Sequence, residues 1–315
     1  MSEFELIGRH FTRSSPGAFL GVGDDAALLH ISEGNALVVS SDMLVSGIHF
    51  FPDADPFMLG HKILAVNLSD MAAMGGLPRW AMLAIALPDA DDAWLERFSS
   101  GFFTLAEQHG VELVGGDTTR GPMNMCVTIL GEVPARKALR RSGAQVGDEI
   151  WISGTLGDAA LALAHLQGHI ELMANDFADC VSALHQPQPR VALGLALRGI
   201  ASSAIDVSDG LLGDLGHVLD ASEVGAEIEL DLLPASNVLR RVGSFQSYML
   251  SGGDDYELCF TAPVRRHSEI MDIGSQIDLQ LACVGKIVAG RGCIVHDAGG
   301  KKIEFEAAVS YDHFR

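Results

Sequence analysis

Apolar and β-branched residues from Ala36 to Val39, running into Ser40-Ser41-Asp42, predict a strand. Pro56 to Met74 predicts a helix, with proline at its start and Gly75-Gly76 beyond its end. Arg79 to Leu87, closed by Pro88, reads as a buried strand. From Asp92 to His109, Trp94, Phe98, Phe102 and Leu105 recur at helical spacing, and Gly110 supplies the stop. A short strand, Val111–Val114, is expected to run into Gly115-Gly116-Asp117, followed by a strand over Met123–Val133.

The pattern then breaks. Pro134 to Gly143 is basic and loop-like, and Val146-Gly147-Asp148 reads as a turn. We place the boundary within 135–148, giving domains 1–138 and 139–315. The second half resumes with a strand at Glu149–Ser153, a Gly154-Thr-Leu-Gly157 turn and a helix from Asp158 to about Gln167. A helix around Pro189–Arg198, a strand into Asp206 and a helix from near Asp209 follow, the last with Leu211, Leu215, Val218 and Leu219 on one face. Strands are expected at Glu227–Leu232, Glu257–Ala262, Leu281–Ile287 and Cys293–His296. Interleaved strands and helices in both halves predict an α/β (α+β) class, each domain a mixed sheet packed with helices.

Composition narrows the function. The 315 residues are 48% hydrophobic, enough to build sizeable cores. The net charge of −20 disfavours nucleic acid, whose phosphates need clustered Lys and Arg, and anionic membrane surfaces. No apolar run approaches the ~18 residues that span a bilayer. The N-terminal MSEFELIGRHF is acidic where a signal peptide would be basic. Five scattered cysteines without a CxxC pair fit free buried thiols, so a cytoplasmic setting is expected. If such a chain handles phosphates, divalent metal has to neutralise them.

The acids are not evenly spread. Aspartates stand beside small residues at six places: Gly23-Asp24-Asp25, Ser40-Ser41-Asp42, Ser69-Asp70, Gly115-Gly116-Asp117, Asp206-Val-Ser208-Asp209 and Gly252-Gly253-Asp254-Asp255. Asp ligates hard cations through oxygen, serine adds neutral oxygens, and glycine admits close approach of backbone to ligand. A multi-Mg²⁺ site built from Asp25, Ser40, Ser41, Asp42, Asp70, Asp117, Asp206 and Asp209 is therefore expected at element junctions. Singly, each aspartate is as readily a cap or turn former, and Asp24 and Asp255 are read as no more than that. Two short echoes, GVGDDAAL against GGDDYEL and NLSDMAAMG against DVSDGLLGD, suggest one recurring local device. No Walker motif, kinase signature set or zinc motif occurs. Gly154 to Asp158 could offer amides to a phosphate, and Arg140-Arg141 could reach one.

The ordered blocks GVGDDAAL, SSDMLVSGIHF, KILAVNLSDMAAMG, LVGGDTTRGP, RSGAQVGD, SAIDVSDGL and SGGDDYELCF resemble the bacterial thiamine-monophosphate kinase family. That family shares a superfamily with aminoimidazole ribonucleotide synthetase and selenophosphate synthetase. The resemblance spans almost the whole chain and implies a two-domain aminoimidazole-ribonucleotide-synthetase-like architecture. It implies ATP-dependent phosphorylation of thiamine monophosphate to thiamine diphosphate, by direct in-line transfer assisted by several Mg²⁺. By the same resemblance the eight residues above hold Mg²⁺, with Asp42, Asp117 and Asp209 serving the transfer itself. Gly116, Asp117, Arg141 and Ser208 contact ATP, while His49, Asp254 and the position of Ala308 face the thiamine substrate. Two departures stand out: Asp254 replaces the family's usual Glu, and Ala308 replaces a stacking aromatic, for which Phe305 or Tyr311 could substitute. The resemblance also implies a homodimer packed through N-terminal-domain sheets and an active site in a cleft between domains. Weaker alternatives are another ATP-dependent enzyme of the superfamily, aminoimidazole ribonucleotide synthetase-like, and a non-catalytic Mg-ATP sensor. Selenophosphate synthetase is disfavoured because the first cysteine, Cys126, lies in a predicted strand.

Overall fold

A computed structural model describes residues 3–23, 25–243 and 245–303. Two compact units emerge, Met1–Met71 with Gly76–Arg136, and Ala72–Gly75 with Lys137–Arg315.

The first unit opens with α1 (Glu3–Leu6) and one π-helical turn (Ile7–Phe11), then β1 (Asn35–Val45). Next come α2 (Pro56–Ala73), β2 (Leu77–Leu87), α3 (Asp92–His109), β3 (Glu112–Arg120) and β4 (Asn124–Pro134). Its sheet runs β1-β4-β2-β3. Only the β2/β3 pair is parallel, with α3 as the crossover between them. Helix α3 begins where the Asp91 carboxylate accepts the Ala93 and Trp94 amides and ends at Gly110 with φ 63°. Its apolar stripe is buried at Leu95, Phe98, Phe102 and Leu105. Helix α2 is buried almost all round, Asn67 and Ser69 included, as a helix apolar on every side should be.

β1 alternates from Leu37 to Leu44. Val38 and Leu44 are buried on one face. Leu37, Val39 and Met43 on the other are 46%, 54% and 53% exposed, and Met82 of β2 is 40% exposed.

The second unit contains β5 (Asp148–Ser153), α4 (Asp158–Leu166), α5 (Ala174–His185), α6 (Val191–Ala196), β6 (Ser203–Val207), α7 (Leu211–Ser222) and β7 (Gly225–Glu229). It continues with α8 (Asn237–Arg241), α9 (Gln246–Ser251), β8 (Glu257–Pro263), α10 (His267–Gln276), β9 (Leu281–Val288), β10 (Gly292–His296) and β11 (Lys302–Ile303). The sheet order is β11-β10-β7-β9-β5-β8-β6, antiparallel except at β10/β7. Ile150, Ile152, Ile205, Val207, Val284 and Ile287 point into the main core with Leu211, Leu215, Val218 and Leu219 of α7. Trp151 stacks on Phe260 with ring centroids 6.3 Å apart.

Several expectations are corrected. Gly115-Gly116-Asp117 lies inside β3, which continues to Arg120 because it pairs with β2 through Leu87. The strand expected over 227–232 stops at Glu229, and Leu230–Leu232 is a single 3₁₀ turn. Of the five free thiols, Cys180 and Cys259 are buried, while Cys126, Cys283 and Cys293 are only half-buried.

Candidate active site

In the first unit, β1 and α2 position the oxygen donors. Ser40 Oγ donates to Asp70 Oδ2 at 2.5 Å, and the Asp42 amide donates to Asn67 Oδ1 at 3.2 Å. Strand periodicity thus places Ser40 and Asp42 on the face that meets α2. Ser41 is the correction. Its hydroxyl lies on the opposite face, donating to the Val127 carbonyl at 3.1 Å and meeting Thr128 Oγ1 at 3.0 Å and Cys126 Sγ at 3.3 Å. Asn67, which sequence reasoning missed, anchors the Asp42 backbone, and its own amide group donates to the Ile63 carbonyl at 2.9 Å.

Asp117 is exposed on β3 beside Gly116. Gly116 has φ 148°, and a Cβ there would sit 1.8 Å from the Leu83 carbonyl oxygen, so only glycine fits. Asp25 is exposed, whereas Asp24 and Ala308, with Phe305 and Tyr311, lie outside the described residues. His49 accepts the Val45 amide at Nδ1, 3.0 Å, which puts the proton of the neutral ring on Nε2. Within this unit no three of the described Asp carboxylates bring oxygens within 4.8 Å of one another. A magnesium site needs no such triad, because Mg²⁺ typically takes one or two carboxylates and fills its shell with water and substrate phosphate.

In the second unit, β6 ends at Val207 and the loop Ser208–Gly210 leads into α7. Asp206 is buried in β6, and Ser208 and Asp209 are half-buried. The organising residue is Asp214, 3% exposed, which the sequence motifs did not single out. It reaches back from the first turns of α7 and accepts the Ser208 and Asp209 amides, both at 3.0 Å. The second loop, Gly252–Tyr256, locks onto the first. The Asp254 amide donates to Ser208 O and the Tyr256 amide to Val207 O, both at 2.8 Å. Gly253 allows this approach, since a Cβ there would lie 2.4 Å from Ser208 O. Asp254 and Tyr256 adopt φ 67° and 51°. Asp255 accepts the Gly157 amide at 2.8 Å and so acts as a cap for α4, the structural role expected of it. The Arg141 side chain is exposed, while its carbonyl accepts from Ser222 Oγ at 3.3 Å.

Two further expectations fail. The Gly154–Asp158 turn does not present a row of amides: those of Gly154, Leu156 and Gly157 are taken by Gln280 O, Pro234 O and Asp255 Oδ1. The recurring local device also dissolves. Ser69-Asp70 sits inside α2 and Ser40–Asp42 inside β1, whereas Ser208-Asp209 forms a true junction.

Burial pushes the Asp214 carboxyl up to about 7, against the pull of its amide hydrogen bonds. A folded value above the unfolded one, near 3.9, makes this group's contribution complete below about pH 4. That contribution is lost as pH rises through about 7. In metal-free buffer, the thermal midpoint of the wild type should therefore fall relative to that of Asp214→Asn between about pH 4 and 8. A pH-independent difference between the two would refute it.

Two family models match the chain: AIR synthase related protein, N-terminal domain, over residues 23–133, and its C-terminal domain over 145–298. The thiamine-monophosphate kinase of Escherichia coli K12 is 47% identical over 99% of this chain and 98% of its own. The chain belongs to the thiamine-monophosphate kinase family. The family extends to more distant relatives such as the Caulobacter vibrioides thiamine-monophosphate kinase, 34% identical over 95% of this chain and 87% of its own. A solved thiamine-monophosphate kinase from Stenotrophomonas maltophilia K279a superposes with TM-score 0.86 at 46% identity, covering 95% of this chain and 96% of its own. AaThiL complexed with AMPPCP and TMP matches with TM-score 0.79 at 31% identity, covering 90% and 89%. Escherichia coli HypE, at 21% identity and TM-score 0.79, shares the fold. No helix among the described residues of this thiamine-monophosphate kinase family member is long and apolar enough to cross a membrane.

Proposed function

We propose that the protein transfers the γ-phosphoryl group of ATP to thiamine monophosphate, giving thiamine diphosphate and ADP. The full-length match to the Escherichia coli kinase carries this reading. The AaThiL complex with AMPPCP and TMP supports ATP as co-substrate and thiamine monophosphate as acceptor. The acceptor is a phosphate monoester, already largely ionised at neutral pH with a second pKa near ~6, so no strong general base is required. Direct in-line transfer without a phosphoenzyme follows as our reading.

The donor set suits Mg²⁺: hard carboxylate and hydroxyl oxygens, with Ser40 and Asp70 already in contact. Asp25, Ser40, Asp42, Asp70 and Asp117 of the first unit and Asp206 and Asp209 of the second are the proposed ligands. Ser41 could join only through its main-chain carbonyl. Bound there, Mg²⁺ would cancel the repulsion between the two phosphates and spread the charge of the transferring group. The protein's own residues do the positioning. Gly116, kept a glycine by the Leu83 carbonyl, holds the β3 backbone beside Asp117, where we place the nucleotide. Asp214 fixes the amides of Ser208 and Asp209, so their side chains are presented from a rigid turn. Arg141 supplies an exposed guanidinium for a nucleotide phosphate. His49 offers Nε2–H to the substrate, and Asp254, held by Ser208, offers its carboxylate to the cationic thiazolium. The test is ADP release with Mg²⁺, ATP and thiamine monophosphate. ATP binding without acceptor-dependent ADP release would favour a nucleotide sensor and refute the kinase.

We also propose that a second copy covers the outer face of the first sheet. Leu37, Val39, Met43 and Met82 are four large apolar side chains left exposed on this one face, around the polar pair Ser41 and Thr128. Val39→Glu should convert a dimer to a monomer by light scattering with helix content retained; an unchanged mass would refute this face. Five unpaired thiols support a reducing, cytoplasmic setting.

A further inference from the structure

We propose that Glu149, His267 and Cys283 of the second unit form a binding site for a thiophilic divalent cation of the Zn²⁺ type, separate from the proposed magnesium ligands. Three elements converge there. Glu149 stands on β5, Cys283 on the neighbouring β9, and His267 is the first residue of α10. One ligand atom from each lies within 4.8 Å of the other two.

The sheet register explains the convergence. Trp151 pairs with Cys283 across β5 and β9, so their side chains share a face, and Glu149 shares it by the two-residue period. A register shift between Ile150 and Trp151 adjusts the pairing at this point. Lys286, the cross-strand partner of Glu149, sends its ammonium to Glu227 at 3.0 Å. His267 meets the same face: its Nδ1 lies 2.9 and 3.0 Å from the two Glu149 oxygens. The imidazole is packed against the Trp151 indole at 4.9 Å between ring centroids, tilted by 58°.

The donors are one thiol, one imidazole and one carboxylate, the combination that binds Zn²⁺ and discriminates against Mg²⁺. Around a tetrahedral Zn²⁺, with bonds of about 2.0–2.3 Å, ligand atoms lie roughly 3.3–3.8 Å apart. Side-chain adjustments of about an ångström therefore close three corners. The His267 side chain is 47% exposed and that of Glu149 16%, so the site opens to solvent for metal entry and for a water at the fourth corner. Burial, with the Glu149 charge, pushes the Cys283 thiol up. Metal binding must then expel the thiol proton to solvent as the metal–sulfur bond forms, with no redox change. The bound ion would tie the start of α10 to the two central strands.

The probe is Co²⁺ titrated into reduced, chelator-treated full-length protein under saturating Mg²⁺. A thiolate-to-cobalt absorption band with tetrahedral ligand-field intensity is expected. It should saturate at one ion per chain and be displaced by Zn²⁺. Cys283→Ser should abolish the band. Losing this ligand should weaken Zn²⁺ binding by roughly 100-fold or more, beyond the ~10–100-fold typical of losing a ligand's hydrogen-bond partner. Glu149→Gln and His267→Ala should weaken Co²⁺ binding while ADP release stays at the wild-type rate. Absence of the band, or a band that survives Cys283→Ser, would overturn the site. If Cys283→Ser misfolds by circular dichroism, an unchanged Co²⁺ affinity in both other variants overturns it equally.

Discussion

Asp42→Asn should lower kcat on the order of 10²–10³-fold, the scale of removing one preorganised electrostatic group from a phosphoryl-transfer site. The fold should persist. Asn is isosteric with Asp, and the hydrogen bond from the Asp42 main-chain amide to Asn67, which helps to join β1 to α2, is kept in the variant. The thermal midpoint should therefore move little, while the Mg²⁺ concentration for half-maximal activity rises. Ser41→Ala is the matched control. Its hydroxyl belongs to the opposite face, beside Cys126 and Thr128, so kcat should stay near wild type. Steady-state ADP release across a Mg²⁺ series checks both. Equal losses in the two variants would refute the face assignment, and near-normal kcat in Asp42→Asn would refute Asp42 as a metal-site residue.

That contrast shows where the sequence was informative. The strand over Ala36–Asp42 was legible from its apolar, β-branched run, and the two-residue side-chain period of any strand already separates Ser40 and Asp42 from Ser41. Treating three adjacent polar residues as one ligand set ignored it. Helix α3 was legible to the residue because local chemistry sets both ends, a polar cap before Asp92 and a left-handed Gly110 after His109. Helix α5 carries Phe177, Cys180, Val181 and Leu184 at helical spacing, yet no helix was expected there. Its pattern was readable and Pro187, two residues past His185, marks its end, but Met173 at its start offers no side-chain cap, so its beginning is unmarked. Helix α10 is harder to read. It is ten residues long, buries Ile270 and Ile273 as its large side chains, and contains Gly274. The role of Asp214 was hidden for another reason. An acid four residues past Gly210 looks like a solvent-facing helix residue, and only the chain reversal shows that it reaches back to two amides. Sequence separation hides the rest. Glu149 and His267 are 118 residues apart, as no short motif could reveal. Arg190 and Glu257, 67 residues apart, fall in the same class.

This last pair yields the largest expected effect on stability. Glu257, at the start of β8, has a side chain 6% exposed and is gripped from two sides. Arg190 Nε donates to its Oε2 at 2.7 Å and Arg190 Nη2 to its Oε1, while Ser153 Oγ donates to Oε2 at 2.5 Å. Ser153 in turn accepts the Leu258 amide at 2.8 Å, so the network joins β5, β8 and the entry to α6. Burial raises the Glu257 pKa, and Arg190 is the main counterweight. Arg190→Ala removes it and strands a buried carboxylate, at an expected cost of about 3–5 kcal/mol. The variant's pH dependence follows from the sign of the shift. With its folded pKa raised further, Glu257 contributes fully below its unfolded value of about 4.3, and that contribution is lost as pH climbs through the folded value. The deficit of Arg190→Ala against wild type, measured by denaturant unfolding, should thus shrink on acidification from about pH 7 to 5. Adding Glu257→Gln should recover much of it at neutral pH, because a neutral amide needs no counter-charge. Glu257→Gln alone should cost less than Arg190→Ala, since the 24% exposed Arg190 side chain can turn its charge toward water. A deficit that is flat with pH, or a double variant no better than Arg190→Ala, would mean that the lost packing of the arginine stem, rather than an uncompensated charge, sets the cost.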